Sequence, residues 1–205
     1  MSDDERVTVA IIDDDQSVRS AVKGLLETVA LEVATFGSVK EFLDADASIK
    51  PSCIIVDVRL PGLSGFDLQR YLSDANIHTP MIFLTGHGDI PMSVKAMKGG
   101  AIEFLTKPFR DQELVDAVLY GIESARTKLV ETETIGKLKQ RHASLTKREA
   151  EIMALLVAGH PSKQVAGWIG ISAVTARVHR AQVMKKMGAR SIAELVRMAD
   201  KLKAP

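Results

Sequence analysis

The chain has 205 residues, of which 46% are hydrophobic and 26% are charged, so it is long enough to form two compact domains with a core each. No apolar stretch approaches the roughly 20 residues that a membrane-spanning helix needs, and the acidic opening MSDDERVTVA is not typical of a secretory signal. Its single cysteine, Cys53, excludes an internal disulfide framework and lies in an apolar run, so we expect a cytoplasmic protein in which Cys53 is a small core residue.

Charge is distributed unevenly along the chain. Residues 1–125 carry 20 acidic and 11 basic side chains, a net charge of −9, whereas residues 126–205 carry 6 and 16, a net charge of +10. An acidic part followed by a basic part predicts two domains with different partners, the basic one a candidate for binding nucleic acid. A difference of this size is less typical of the alternative, a scatter of solvated surface charge.

Short apolar runs alternate with helical patterns through the first part of the chain. Strands are predicted at residues 7–12, 32–36, 53–56, 81–84 and 102–105. Helices are predicted at residues 17–28, 38–44, 66–74, 90–98 and 112–124. Apolar strands that alternate with helices indicate a parallel sheet covered by helices on both faces. Ligands of such sheets bind beyond the carboxyl ends of the strands.

Polar side chains follow four of these predicted strands, at the point where each strand ends. In chain order they are Asp13, Asp14, Asp15, Asp57, Thr85 and Lys107. Clustered carboxylates require a cation, and oxygen ligands favour Mg²⁺. With the metal bound, one carboxylate can act as nucleophile toward a phosphoryl group, Lys107 can pair with the new phosphate, and Thr85 can hydrogen-bond it. We interpret Asp15 as a helix cap and His87, beside this edge, as a solvated loop residue.

The second part of the chain begins with a polar segment and continues with helical patterns only. Residues 125–143 contain no proline and one glycine, which predicts a linker that is helical in part. Thr146 and Glu149 form a capping box for a helix that runs to residue 157. Further helices are predicted at residues 162–169, 173–187 and after residue 191. The histidines show no ligand spacing, so no zinc or iron site is expected.

The helices at residues 162–169 and 173–187, joined at Gly170, have the spacing of a helix-turn-helix. We predict that Ala166, Ile169, Ile171 and Val174 face inward, and that Trp168 is a core residue and not a stacking platform. The second helix carries a series of basic residues: Arg177, Arg180, Lys185 and Lys186. Such a helix can enter the major groove of DNA, where phosphate contacts provide affinity and base contacts provide sequence choice.

Residues 5–124 resemble the receiver domain of two-component response regulators. The matching residues are Asp13, Asp14, Asp57 in DVRLPG, Thr85 and Lys107-Pro108. The stretch TGHGDIPMSVKAMKGGAIEFLTKPF resembles the FixJ-like branch of the FixJ/NarL class. This resemblance implies a doubly wound, flavodoxin-like sheet of five parallel strands in the order 2-1-3-4-5.

The same resemblance implies roles for individual residues. Asp57 is the implied phosphoacceptor, and Asp14, Asp57 and the backbone carbonyl of Arg59 are the implied direct ligands of Mg²⁺. Asp13 is implied to act on the metal mainly through water. A cis peptide between Lys107 and Pro108 is also implied, together with an aromatic switch, Phe104, that turns inward with Thr85.

Residues 144–205 resemble the LuxR-type helix-turn-helix domain of the same regulators. The matching positions are LTKRE at 145–149, Gly159, Lys163, Val165, Ala166, Ile171, Ser172, Thr175, Val178, His179 and KKM at 185–187. The resemblance implies that Arg177, Val178 and Ala181 face bases. It also implies that four residues lie near phosphates: Lys163, Thr175, His179 and Lys185. Ser162, Ala176 and Ala181 depart from the usual residues, so the operator sequence stays open.

The sequence therefore predicts a phosphorylation-controlled transcription regulator and not an enzyme that turns over a substrate. A sensor histidine kinase is the expected phosphoryl donor, and promoter DNA, a second copy of the chain and RNA polymerase are the other expected partners. Residues 90–124 form the face expected to change its packing on phosphorylation.

Two alternatives stay open. An aspartyl-phosphate phosphatase usually pairs its nucleophile with a second Asp two residues on, where this chain has Arg59. A regulator that binds DNA constitutively is disfavoured by the complete set of polar residues at the strand ends.

Overall fold

The predicted alternation of strands and helices is present in the computed structural model, which describes residues 8–45, 50–86 and 89–203. The chain divides into two units, the first ending at Thr127 and the second beginning at Lys128. The strands are β1 (Thr8–Ile12), β2 (Glu32–Phe36), β3 (Cys53–Asp57), β4 (Met81–Thr85) and β5 (Glu103–Thr106). The helices that begin in the first unit are α1 (Gln16–Glu27), α2 (Val39–Asp44), α3 (Gly65–Asp74), α4 (Ile90–Lys98) and α5 (Asp111–Ala143).

The five strands form one parallel sheet in the order β2-β1-β3-β4-β5, as predicted. Every residue of β3 and β4 is buried, because helices cover both faces, and this explains why these strands are continuous apolar runs. In the sheet register Ile12 pairs with Val56. Asp13 and Asp57, one residue further along each strand, therefore stand side by side at the carboxyl edge.

Two apolar layers hold the helices against the sheet. Alternate residues of each strand contribute to opposite layers, as Ile54 and Phe83 do on one face and Ile55 and Ile82 on the other. Cys53 is fully buried in the second layer, which confirms it as a core residue, and burial raises the pKa of its thiol to about 12. A thiol with so high a pKa is not a nucleophile at neutral pH.

The prediction that the fifth helix ends at Ser124 is wrong, because α5 continues without a break to Ala143. The segment contains no proline to interrupt the backbone hydrogen bonds, and Glu133 and Lys137 form an i,i+4 pair with 3.6 Å between Oε2 and Nζ. The last turns of α5 pack into the second unit through buried Leu138.

The second unit adds α6 (Lys147–Val157), α7 (Ser162–Ile169), α8 (Ala173–Met187) and α9 (Ile192–Lys203). Thr146 and Glu149 form the predicted capping box of α6, and Ser172 caps α8 through the Thr175 N–H. Gly170 ends α7 with φ at +68°, a left-handed conformation that glycine adopts at low cost. Among the described residues, no helix has the length and apolar character to cross a membrane.

Two predictions about the interior of the second unit are wrong. Val174 is 70% exposed, because the second position of α8 points away from the core, and Ala176 is the buried residue instead. Trp168 is 61% exposed. Its ring lies edge-on to His160, with 4.4 Å between the ring centroids, because Val165 and Ala166 occupy the inward side of α7.

An ion pair inside the second unit joins α6 to α8. The Nζ of Lys186 donates to Oε2 of Glu149 at 2.6 Å and to the carbonyl of Ser144 at 3.2 Å. Glu149 is buried against its neighbours. The Lys186 ammonium and the capped Thr146 N–H hold the pKa of Glu149 at about 2, below its usual 4.5.

This low pKa predicts an acid-sensitive second unit. A carboxyl group whose pKa is lower in the folded than in the unfolded chain stabilises the folded state at pH values above the unfolded pKa. We therefore expect the free energy of unfolding to fall as the pH drops from 4.5 toward 2. Glu149→Gln should flatten this dependence and lower stability at neutral pH. Urea unfolding of the full chain can be followed by the fluorescence of Trp168, the only tryptophan. Glu151→Gln is the matched control, because its exposed pair with Arg148 should contribute little; an equal pH dependence in both variants would contradict the assignment.

Candidate functional site

Two carboxylates at the carboxyl edge of the sheet share one ammonium group. The Nζ of Lys107 donates to Oδ2 of Asp13 at 2.5 Å and to Oδ2 of Asp57 at 2.8 Å. Asp13 is 2% exposed and Asp57 is 8% exposed. Two buried carboxylates this close repel each other strongly, and the ammonium between them offsets that repulsion.

The backbone after β5 places Lys107 at this position. The Lys107 N–H donates to the carbonyl of Thr85 at 2.8 Å, which extends the pairing of β5 with β4 by one residue. The peptide bond between Lys107 and Pro108 is cis, as the sequence resemblance implied.

Opposing effects act on the charge of Lys107. Partial burial favours the neutral amine, but the hydrogen bonds that Lys107 donates to Asp13 and Asp57 favour the ammonium more strongly, so the pKa of Lys107 lies above its usual 10.5. The side chain is therefore fully charged throughout the physiological pH range.

The surroundings of Asp57 restrict how it can move. Its Oδ1 accepts the Arg59 N–H at 2.9 Å, while Lys107 holds Oδ2. Behind it, the first residue of α3 is Gly65, and a Cβ at this position would stand 2.5 Å from the Asp57 carbonyl oxygen. Only glycine permits this approach of α3 to β3, which fixes the backbone of Asp57.

The other two acids after β1 differ from Asp13. Asp15 caps α1 by accepting the Ser17 and Val18 N–H groups, which confirms the predicted cap, and these bonds lower the pKa of its carboxyl. Asp14 is exposed. Within the ranges given above, no three side chains of the His, Cys, Asp and Glu types already stand together as a metal-binding group.

The donor chemistry nevertheless suits a hard divalent cation. The polar atoms that converge on Lys107 are carboxylate oxygens, and the ammonium is itself a cation placed between them. Exposed Asp14 is the next residue after Asp13, so its carboxylate can join the edge from solvent. Oxygen ligands that include one or two carboxylates and leave positions for water are what Mg²⁺ prefers.

An aromatic series leads away from this edge through the core. Phe66 of α3 lies 5.1 Å from Phe83 of β4, and Phe83 lies 6.3 Å from Phe104 of β5, between ring centroids. Thr85, two residues after Phe83, is almost fully buried. Phe104 is half-buried, so its ring has room on the solvent side. His87 lies outside the described residues.

The second unit presents a polar and basic surface along α7 and α8. The polar and charged residues predicted to contact DNA lie on this surface: Lys163, Thr175, Arg177, His179 and Lys185. His179 is half-buried and the other four are exposed. Val178 and Ala181 are exposed as well, although they are apolar. Lys186, predicted to add positive charge here, is instead held by Glu149.

Sequence reasoning missed three side chains that organise these two regions. Arg19 of α1 donates through Nη1 to the carbonyl of Asp13 at 2.5 Å. Arg148 donates to the carbonyl of Ile169 at the end of α7, and Arg141 of α5 donates to the carbonyl of Met187 at the end of α8. Each arginine binds a backbone carbonyl, and because every residue has a carbonyl, the partner leaves no pattern in the sequence.

Family comparisons agree with both regions. Residues 9–119 match the family described as "Response regulator receiver domain", and residues 143–199 match "Bacterial regulatory proteins, luxR family". The chain belongs to the response regulators. It regulates transcription as a member of this family, with a receiver domain and a LuxR-type DNA-binding domain.

Several response regulators of known sequence or structure are similar to this chain over nearly its whole length. Nodulation protein W of Bradyrhizobium diazoefficiens is 48% identical, over 96% of this chain and 87% of the relative. Transcriptional regulatory protein FixJ of Azorhizobium caulinodans is 41% identical, over 95% and 92%. The solved structure of response regulator StyR has a TM-score of 0.84 at 42% identity and covers 96% of this chain and 99% of StyR.

The shared ammonium predicts a specific cost of removing Lys107. We expect Lys107→Ala to lower the free energy of unfolding by about 1–3 kcal/mol at neutral pH without added metal, because Asp13 and Asp57 then face each other unpaired. Urea denaturation followed by circular dichroism measures this. Adding Asp13→Asn to Lys107→Ala should restore part of the lost free energy of unfolding. Exposed Lys40→Ala is the control; equal stability of the two single variants would contradict the role of the ammonium.

Adjacent lysines on α8 should affect DNA binding differently. We expect Lys185→Ala to reduce the slope of log affinity against log salt by about 1 for a mixed-sequence duplex, since exposed Lys185 is predicted to contact a phosphate. Lys186→Ala should mainly lower stability, because Lys186 binds Glu149. Lys201→Ala on α9 is the control, and fluorescence anisotropy of labelled duplex gives the slopes. A slope for Lys185→Ala equal to that of the control would refute the contact.

Proposed function

We propose that Asp57 accepts a phosphoryl group from a sensor histidine kinase, and that this modification controls dimerisation and binding to promoter DNA. The observation that carries the proposal is the pair of buried carboxylates joined by the Lys107 ammonium. Membership of the response regulators implies a kinase partner and DNA binding, and the pair supplies the chemistry at a defined residue.

The first step follows from the contacts of Asp57. An oxygen of its carboxylate attacks the phosphorus of a phosphohistidine, the phosphorus–nitrogen bond breaks, and the imidazole nitrogen released takes up a proton. Lys107 turns from pairing with two carboxylates to pairing with the new phosphoryl oxygens, which carry more negative charge. The Arg59 N–H, which donates to Oδ1, keeps the carboxyl group oriented.

Four groups of this chain would hold Mg²⁺: the carboxylates of Asp14 and Asp57, the Arg59 carbonyl and, through water, Asp13. When bound, the cation neutralises charge on the phosphoryl oxygens. Asp13 and Asp57 contribute by being buried and already aligned, so little reorganisation is needed before transfer.

The conformational response begins at Thr85 and Phe104. Phosphorylation adds roughly two negative charges at pH 7, and the Thr85 hydroxyl can hydrogen-bond the new group at the end of β4. Movement of Thr85 leaves space into which the half-buried ring of Phe104 can turn. The face formed by residues 90–124 then changes its packing, which is how we propose that dimerisation is favoured.

The domains divide the work along the chain. Residues 5–124 act as the receiver, residues 125–143 connect it to the second domain, and residues 144–205 bind DNA. We propose that Arg177, Val178 and Ala181 read bases. Phosphate contacts come from Lys163, Thr175, His179 and Lys185.

The proposal predicts that Asp57 is required for any response to a phosphoryl donor. Acetyl phosphate with Mg²⁺ should shift the full chain on a phosphate-affinity gel and tighten its binding to promoter duplex, and beryllofluoride should tighten binding likewise. Asp57→Asn should abolish all three effects, because an amide is not a nucleophile for this transfer. Mass spectrometry of the labelled chain locates the modification.

Asp74→Asn provides the matched control, since Asp74 is an exposed acid at the end of α3 outside the site. It should behave as the unaltered chain. Labelling that survives Asp57→Asn, or DNA affinity that is the same with and without beryllofluoride, would rule out the proposed switch.

A further inference from the structure

The guanidinium of Arg19 occupies a position behind the acidic edge of the sheet. Arg19 lies one turn into α1 and is half-buried. Its Nη1 donates to the backbone carbonyl of Asp13 at 2.5 Å. A Cβ built on Gly37 would lie 3.8 Å from this Nη1 and 3.3 Å from Oε2 of Glu41. The guanidinium therefore reaches toward the turn between β2 and α2.

Every polar atom of Asp13 has a partner. Its N–H donates to the carbonyl of Phe36 at 3.1 Å, its Oδ1 accepts the Asp15 N–H at 2.9 Å, and its Oδ2 accepts Lys107. The carbonyl is the fourth, and Arg19 is the partner found for it. Phe36 contacts Asp13 from the sheet, Asp15 from the following loop and Lys107 from the site. Arg19 is the partner that reaches Asp13 from a helix.

We infer that Arg19 is a positioning residue for the acidic edge, a role that rests on the proposed function. By holding the carbonyl, it fixes the backbone angles from which the Asp13 carboxylate is aimed. Asp13 and the adjacent Asp14 then meet a cation with little loss of side-chain and loop freedom. Groups that orient ligands in this way alter metal affinity without touching the metal.

The inference predicts that Arg19→Ala weakens binding of Mg²⁺ to the full chain about tenfold. Isothermal titration calorimetry with MgCl₂ alone measures this, independently of phosphoryl transfer. Hydrogen exchange of the Asp15 amide gives a second readout, because that N–H is protected by Asp13 Oδ1 and should exchange faster when the aim of Asp13 is lost. Lys23→Ala is the matched control, one turn further along α1 and paired only with exposed Glu27 in the contacts described.

The results separate this inference from the proposed function. Unchanged Mg²⁺ affinity and unchanged Asp15 protection in Arg19→Ala would overturn it, even if Asp57 is phosphorylated normally. Failure of acetyl phosphate to label the unaltered chain would instead overturn the proposed function. If Arg19→Ala does not fold by circular dichroism, Arg19→Lys takes its place. Lysine keeps the charge but is shorter and lacks the planar fork. Mg²⁺ affinity and Asp15 amide exchange equal to those of the unaltered chain would overturn the inference, and a partial loss of both would support it.

Discussion

The receiver depends on a balance between two buried negative charges and one positive charge. Asp13 and Asp57 lie side by side because each follows one of the paired residues Ile12 and Val56 of β1 and β3. Lys107 makes that arrangement stable, since its ammonium donates to both carboxylates. Gly65 of α3 and Arg19 of α1 approach the backbone carbonyls of Asp57 and Asp13, respectively.

Much of this fold could be predicted because local patterns and tertiary structure agree. Apolar runs such as β3 and β4 are uninterrupted because both faces of the sheet are covered, and the strand ends could be located from the polar residues that follow them. The patterns placed Asp13 and Asp57 at the same edge of the sheet, and the strand order that puts β1 beside β3 was implied by the resemblance to receiver domains. The largest error of length concerned α5, where the polar residues 125–143 were interpreted as a linker that is helical in part, although the helix continues through all of them.

The site was predictable in its members but less so in its contacts. Lys107 was predicted to pair with a phosphoryl group, and its bond to both carboxylates was not predicted. The Arg19 bond to a backbone carbonyl has no sequence signal, because any nearby carbonyl would serve. In the second unit the errors have a related cause. Trp168 and Val174 are large and apolar and so were predicted to lie in the interior, but both are exposed, whereas the smaller Ala166 and Ala176 are buried. Size and hydropathy alone do not identify which residues of a helix are buried.

The pairing of Lys186 with Glu149 changes how the basic character of the second domain should be understood. A formal excess of ten positive charges suggests strong attraction to any polyanion. That excess already allows for the six carboxylates of the domain, three of which lie beside Lys186, Arg148 and Lys137. The excess is therefore carried by basic side chains outside these three pairs, among them the exposed Lys163, Arg177 and Lys185 of α7 and α8. Attraction of this domain to a polyanion should thus depend on which of its faces is presented and not on its net charge alone.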